Sequence, residues 1–399
     1  MKQSFAKSLL LLTVILMDFL AGMEFDLFVP SFPELQSQFS LSPFLVESLL
    51  SINFAGYCLS LFFVGSLADR YGRKPILLIG LIIFIIGSIF CLYGATYPFL
   101  LVGRFLQGVG IASPAILSFL IIADTYTLKK QQFFMAMLNG VKNTSVAVAP
   151  VLGSYITLYF HWQGNFMTLL LLGIAALLMT VLFIPTYKLS LQEEILSFRG
   201  YIPLFQSKPL MLLMANIIFM FVPYWIFVGI SPLLYMKDLG VSLAQFGFYQ
   251  GALALVFALG SVLFGLIMHR YEHKKLLSIA SSIYIFSLIS IALATFLNGF
   301  NPLIITLAFI PFIISQIIPS NMLVPVCLNL IPNAKGKVSA VLQGTQLIFS
   351  ALSLQIAGFF YQGSFRNIGL IISIFILMVI ITQFFVLKNS QLMQFSEVK

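Results

Sequence analysis

The chain is short of charge. Only 8% of its 399 residues are Asp, Glu, Lys or Arg, where a soluble domain carries about 25%. That scarcity argues against a water-soluble globular protein. Cysteines number three, Cys58, Cys91 and Cys327, all inside apolar runs. Their spacing offers neither a disulfide framework nor a metal site. The three histidines, His161, His269 and His273, lie at the ends of apolar runs. No metal cluster or nucleophile–base pair is visible, so no metal, no catalytic residue and no enzyme is expected. A G-x-x-x-x-G-K phosphate loop is absent, which argues against direct use of ATP. Acids are also scarce, 12 against 21 Lys and Arg, leaving a net charge of +9. The basic residues fall in short connections between apolar runs, not along one face of a soluble domain, so no nucleic-acid partner is expected.

What fills the chain is apolar: 60% of residues are hydrophobic. The runs are about 20 residues long, which suits membrane-crossing helices and not barrel strands. Twelve spans are expected at 8–29, 44–67, 76–95, 98–122, 133–159, 165–185, 209–232, 243–268, 276–297, 302–326, 338–361 and 367–387. The first follows Lys2 and Lys7 like a signal peptide. It contains Asp18 and runs on to Val29 without a small-x-small cleavage site, so an uncleaved span is expected. Cytoplasmic loops are enriched in Lys and Arg. With both termini inside, 17 of the 21 basic residues are cytoplasmic; Lys237 and Arg366 lie outside, and Arg104 and Lys142 within spans. The longest polar connection, Thr186–Lys208, divides an all-α chain into a six-helix bundle at 1–185, a cytoplasmic linker at 186–208, and a second six-helix bundle with a short tail at 209–399. No soluble segment is long enough to fold alone.

Between spans 2 and 3 lies Gly65-Ser66-Leu67-Ala68-Asp69-Arg70-Tyr71-Gly72-Arg73-Lys74-Pro75. Its charge places it in water, and its Arg and Lys place that water inside. The pattern G-x-L-A-D-R-x-G-R-K resembles the loop 2–3 signature of the major facilitator superfamily. The stretch Gly265–Lys275 echoes it 200 residues later, with His269 in place of the acid and Glu272 in place of the second glycine. A parallel repeat of two six-span halves is what this resemblance implies for the fold. It also implies an inner-gate latch built on Gly65, Asp69, Arg70, Gly72, Arg73 and Asp124. There Asp69 would meet the positive N-terminal end of span 11 near Val338, and Arg73 would pair with Asp124.

Ionisable side chains at the centre of a bilayer are costly and usually face a partner or a cavity. The first half holds Asp18, Glu24 and Asp26 in span 1, Arg104 in span 4 and Lys142 in span 5; the spans of the second half hold no acid, Lys or Arg. Depth at about 1.5 Å per residue sets Asp18 and Lys142 near the midplane, where they should meet directly or through water. Asp26 and Arg104 share a level nearer the outside and should approach each other. Glu24 projects about 120° from Asp18 and faces either elsewhere or the outer interface.

Further resemblances refine this. Arg104-Phe105-Leu106-Gln107-Gly108-Val109-Gly110 is similar to the R-x-x-Q-G-x-G motif of proton-coupled facilitators, which implies that Arg104 takes part in proton transfer or its gating. Span 5 partly resembles the antiporter motif, with Ala136, Ser145, Ala149, Pro150, Gly153 and Ser154 at its places. Several glycines are replaced, but small residues still permit close helix packing and Pro150 favours a bend. The stretch Asp26-Leu27-Phe28-Val29-Pro30-Ser31-Phe32-Pro33 resembles the opening of drug:proton antiporters of the bicyclomycin/chloramphenicol-resistance (Bcr/CflA) type. The Asp18 and Asp26 pair is similar to the two span 1 acids of a broad-specificity multidrug antiporter. By these resemblances Asp18, Asp26 and Arg104 are proton-coupling candidates, and Glu24, as a further acid within span 1, is the fourth.

Candidates for a substrate cavity are Lys142, Asn143, Tyr224, Trp225, Tyr249, Gln250, Gln316, Asn321, Gln343 and Gln346; helix–helix hydrogen bonding is the competing role for the amides. The expected function is proton-coupled export of small, largely lipophilic compounds by alternating access across a bacterial inner membrane. The alternatives are a proton symporter of a nutrient and an exporter of an endogenous metabolite such as a siderophore; a membrane-embedded enzyme is a more distant one. Expected partners are a small-molecule substrate, protons and the lipid bilayer. The chain should act as a monomer, with no cofactor beyond the proton gradient.

Overall fold

The structure is a computed structural model, and it describes residues 2–186, 202–267, 271–297, 300–331 and 335–395. Among the described residues every regular element is a helix. In the first half these are α1 (Lys2–Asp26), a 3₁₀ turn (Val29–Ser31), α2 (Phe32–Gln38), α3 (Pro43–Tyr71), α4 (Arg73–Leu92), α5 (Tyr97–Thr125) and α6 (Leu128–Phe183). In the second half they are α7 (Ile202–Gln206), α8 (Lys208–Pro232), a π-helical turn (Leu233–Asp238), α9 (Leu243–Ile267), α10 (His273–Leu297), α11 (Pro302–Asn329), α12 (Lys335–Phe360), α13 (Phe365–Lys388) and α14 (Ser390–Phe395).

Prolines and caps set the ends. Pro30 and Pro33 sit in the first positions of the 3₁₀ turn and of α2, where the missing N–H removes no hydrogen bond. The Ser42 hydroxyl accepts from the backbone N–H of Leu45 and starts α3. Gly72, at φ 94°, ψ 157°, ends α3 and admits a one-residue reversal into α4; positive φ favours glycine there.

Eleven helices among the described residues are long and apolar enough to cross a membrane. One of them, α6, is 56 residues, or about 84 Å at 1.5 Å per residue, against a hydrocarbon core of about 30 Å. It is broken at His161, where φ is 58° and ψ −175°. Beyond the break the chain folds back: the Asn165 side-chain amide donates to the Thr157 hydroxyl at 2.7 Å and to the Gly153 carbonyl at 3.4 Å. In a straight helix residues 153 and 165 would stand about 18 Å apart. So α6 is two crossings, spans 5 and 6 of the sequence, which makes twelve among the described residues. Large apolar side chains stand exposed along the helices, among them Leu182 at 69% and Phe359 at 71%, a surface that lipid and not water would solvate.

The chain divides into two compact units, Met1–Leu196 with Phe246–Gly251, and Ser197–Gln245 with Ala252–Lys399. The expected linker at 186–208 falls mostly outside the described residues, and its described end carries the short α7. His269 and Arg270 of the echoed loop also lie outside them, as do the side chains of Lys2, Ala136 and Lys335.

Candidate functional site

The site begins with glycines, because their missing side chains let helices of the first unit approach. A Cβ on Gly22 of α1 would stand 1.9 Å from the Ser145 hydroxyl oxygen and 2.9 Å from the Lys142 carbonyl oxygen of α6. A Cβ on Gly153 would stand 1.9 Å from the Leu27 carbonyl oxygen. These two contacts, in the same order along both chains, make α1 and the first length of α6 parallel neighbours. In the same way Gly108 of α5 lies against the Asn53 backbone of α3, and Gly110 against Phe84 of α4. The glycines of the R-x-x-Q-G-x-G stretch thus seat α5 between α3 and α4. That seating aims Arg104 and Gln107 inward.

Arg104 is fully buried, and its Nη1 pairs with Glu24 Oε1 at 2.8 Å, an acid that is also 0% exposed. Nη1 also donates to Gln107 Oε1 at 2.7 Å, and Nε donates to the Leu49 carbonyl at 3.2 Å. Asn53 Nδ2 donates to Glu24 Oε1 at 2.8 Å and to the Arg104 carbonyl at 3.0 Å. Gln107 Nε2 donates onward to the Ser88 hydroxyl at 2.9 Å. The guanidinium lies 4.0 Å from the centre of the Phe28 ring, where cation and π face attract. The network is incomplete: Arg104 Nη2 and Glu24 Oε2 are buried without a hydrogen-bond partner in the protein.

This corrects the expected pairing of Arg104 with Asp26. The partner is Glu24, and it is neither interfacial nor turned elsewhere. Level along the helix axis predicted Asp26; rotation about it decided for Glu24. The face of α1 about 120° from Asp18 is the one that α3 and α5 cover. Asp26, 1% exposed, ends α1 with one oxygen that accepts no hydrogen bond from the protein, at the negative end of the helix dipole. Its proximity is to the Glu24 carboxylate.

Asp18, one turn before Gly22, is 0% exposed. Lys142, half-buried on α6, is close enough for its charge to act on Asp18. No direct contact forms: both Asp18 oxygens accept no hydrogen bond from the protein. Asn143 is half-buried on the next position. Ala149 and Pro150 are buried on α6, with Pro150 inside the helix. Gly153 serves twice, as the contact with α1 and as a carbonyl acceptor for Thr157 and Asn165. Ser31, Thr157 and Asn165 close a buried hydroxyl–amide cluster there, with Ser31 and Thr157 2.9 Å apart.

At the other end of the bundle Arg73 is the hub of the charged loop. Its Nη1 pairs with Asp69 at 2.5 Å and its Nε with Asp124 at 3.0 Å. Arg70 lies 5.2 Å from the centre of the Tyr71 ring. Lys74 donates to the Val181 carbonyl near the end of α6 at 2.8 Å. Gly65 has open space where a Cβ would stand, so no packing contact requires it.

The remaining cavity candidates lie on α8, α9, α11 and α12. The Gln316 amide donates to the Met220 carbonyl at 2.9 Å, tying α11 to α8. Asn321 reaches the Ser261 hydroxyl at 3.4 Å and its own helix at the Ile317 carbonyl at 2.8 Å. Gln343, exposed, donates to Ser339 of its own helix at 2.8 Å. Gln346 is half-buried. The Tyr224 and Trp225 rings meet edge to face at 5.7 Å, and Tyr249 is half-buried. Gln250 differs: it is 1% exposed, and neither amide atom has a hydrogen-bond partner in the protein.

Two acids escaped the sequence reading. Glu47, near the start of α3, is fully buried; the boundary chosen for span 2 contained it, which was the available signal. Glu34 of α2 binds the break in α6, with Oε1 2.8 Å from His161 Nδ1 and Oε2 accepting the backbone N–H of Trp162 at 2.9 Å. Its proximity to a residue 127 positions away had no local signature.

Comparison with known proteins bears on this arrangement. Residues 14–354 match the family model described as Major Facilitator Superfamily. The chain is 35% identical over 156 residues to the multidrug resistance protein MdtL of Escherichia coli O139:H28 (strain E24377A / ETEC), and equally to that of Shigella dysenteriae serotype 1 (strain Sd197). Each alignment takes in 39% of this chain and spans 40% of the relative's length. Among solved structures, the inward open conformation of the xylose transporter XylE from E. coli superposes with a TM-score of 0.75 at 14% identity, covering 95% of each chain. A bacterial homolog to the human lysosomal transporter Spinster gives 0.71 at 17% identity, covering 99% of each. At such identities the likeness is one of fold.

Proposed function

Because the chain belongs to the Major Facilitator Superfamily, we propose that it is a proton-coupled secondary transporter exporting small, largely lipophilic compounds. It works by alternating access across a bacterial inner membrane, with both termini in the cytoplasm and one chain as the working unit. The observation that carries this reading is the fully buried Glu24–Arg104 pair joining α1 to α5. Breaking a buried pair by neutralising one partner costs about 3–5 kcal/mol. A proton arriving on Glu24 therefore changes the strength of the α1–α5 contact and leaves Arg104 on Leu49 and Gln107. Asp18 and Asp26 are the further proton-coupling acids, with Lys142 as the counter-charge of Asp18. The partial match to MdtL, whose name records multidrug resistance, supports export over import.

Everted membrane vesicles with an acidified lumen test this. The wild type should accumulate ethidium inside, and added ethidium should dissipate the proton gradient. Glu24→Gln, and the pair Asp18→Asn with Asp26→Asn, should abolish both signals. Undiminished accumulation in both variants would refute proton coupling through these acids.

A second reading, export of an anionic or zwitterionic metabolite, is favoured by Lys142, a half-buried cation in the first unit. Lys142→Gln would then weaken movement of an anionic fluorophore and spare that of ethidium.

A further inference from the structure

Glu47, like Asp18, is an acid of the first unit with neither carboxyl oxygen hydrogen-bonded in the protein. It is 0% exposed, and both oxygens are buried. It lies six residues before Asn53 on α3, so it projects about 120° away from the side that meets Glu24 and Arg104. The basic groups on neighbouring elements are engaged elsewhere, and the acids there offer no counter-charge. On α5, Tyr97 donates to the Leu45 carbonyl at 2.8 Å, and Arg104 is held by Glu24, Gln107 and Leu49. Asp124 of α5 and Arg73 of α4 pair with each other, and Cys91 of α4 faces Gln107. On α2, Glu34 holds His161 and Trp162. On α1, Glu24 takes Asn53 and Arg104, while Asp18 and Asp26 are acids and supply no counter-charge. Among the described residues no ion pair involves Glu47.

An ionised carboxylate deprived of both water and donors is strongly disfavoured, and the neutral acid is the form such a place tolerates. The route to water is short. Glu47 is four residues into α3, about 6 Å along the axis, next to the exposed Ser42 and Phe44. We propose that Glu47 is a further proton-binding carboxyl of the transport cycle, neutral in the state described here, which exchanges its proton when the start of α3 becomes wet. The proton is bound on one carboxyl oxygen and leaves to water, and the carboxylate left behind is hydrated. The cycle part of this inference rests on the proton-coupled reading above; the proton binding does not.

Two measurements on the full-length protein separate the two. Infrared difference spectra in lipid bilayers should contain a protonated-carboxyl C=O band that Glu47→Gln removes and Glu47→Asp shifts. The band should fade reversibly as pH rises. A band indifferent to Glu47→Gln, or one that never exchanges, overturns the inference. In everted vesicles with ethidium as the probe, Glu47→Gln should flatten the pH profile of uptake, and Glu47→Asp should restore it. An unchanged profile in Glu47→Gln overturns a part in the cycle. If the wild type does not move ethidium at any pH, the transport reading with this probe fails, and the infrared titration alone decides proton binding at Glu47.

Discussion

Arg104 and Glu24 stand 80 positions apart in the chain and meet at 2.8 Å with neither side chain exposed. Removing one partner leaves the other charged, buried and unpaired. Glu24→Ala should therefore destabilise by about 3–5 kcal/mol. The apolar pair Glu24→Leu with Arg104→Met should regain most of that loss, since buried ion pairs are often replaceable in stability. Thermal unfolding in detergent measures the first effect. Ethidium transport, which the double variant should not regain, separates stability from function.

Gly153 has no room to grow. Any side chain there meets the Leu27 carbonyl oxygen, so Gly153→Val should push α1 from α6. Overpacking of this kind costs about 1–3 kcal/mol. Gly65→Ala, in open space, should be neutral in the same unfolding assay.

In the charged loop, Asp124 is 34% exposed and Asp69 67% exposed. Exposed pairs are worth about 0–1 kcal/mol, so both Asp124→Asn and Asp69→Asn should leave unfolding nearly unchanged, the former having the larger effect. Asp69→Asn should nevertheless slow transport while membrane insertion, checked by labelling of inserted protein, stays intact. Wild-type transport by the inserted variant would reject a latch at Asp69.

Tyr126, between α5 and α6, donates its hydroxyl to the Lys7 carbonyl at 3.3 Å and lays its ring 4.5 Å from that of Phe134. Burial raises its hydroxyl above the ordinary tyrosine value of 10.0. The folded state therefore holds this proton more tightly than the unfolded chain. Its contribution is fully present below about pH 10 and declines as pH rises past that value. The unfolding midpoint of the wild type should fall more steeply there than that of Tyr126→Phe.

Much of this architecture was legible in the chain. Apolar run lengths marked the spans, and the Lys and Arg pattern marked the ends expected to face the cytoplasm. Arg73 and Asp124 were found from the loop motif and do pair. What stayed hidden was rotation of each helix about its own axis. Axial level put Asp26 beside Arg104, but packing of α3 and α5 onto α1 turned Glu24 toward it. The amides of α11 looked like a substrate wall and are spent partly on holding helices, as Gln316 is on the Met220 carbonyl. Glu47 falls inside span 2 of the sequence, but nothing in the pattern around it marks which side of α3 is covered. Its burial comes from helices distant in sequence.

The reversal at His161 bears on how the molecule can be labelled. Gly153 and Asn165 are held together across a break of one residue. An epitope tag or fluorophore domain spliced into that corner would wrench the two crossings apart. The connection at Tyr93–Thr96, with Tyr93 75% exposed, gives such an insertion more slack and is the better place for a reporter.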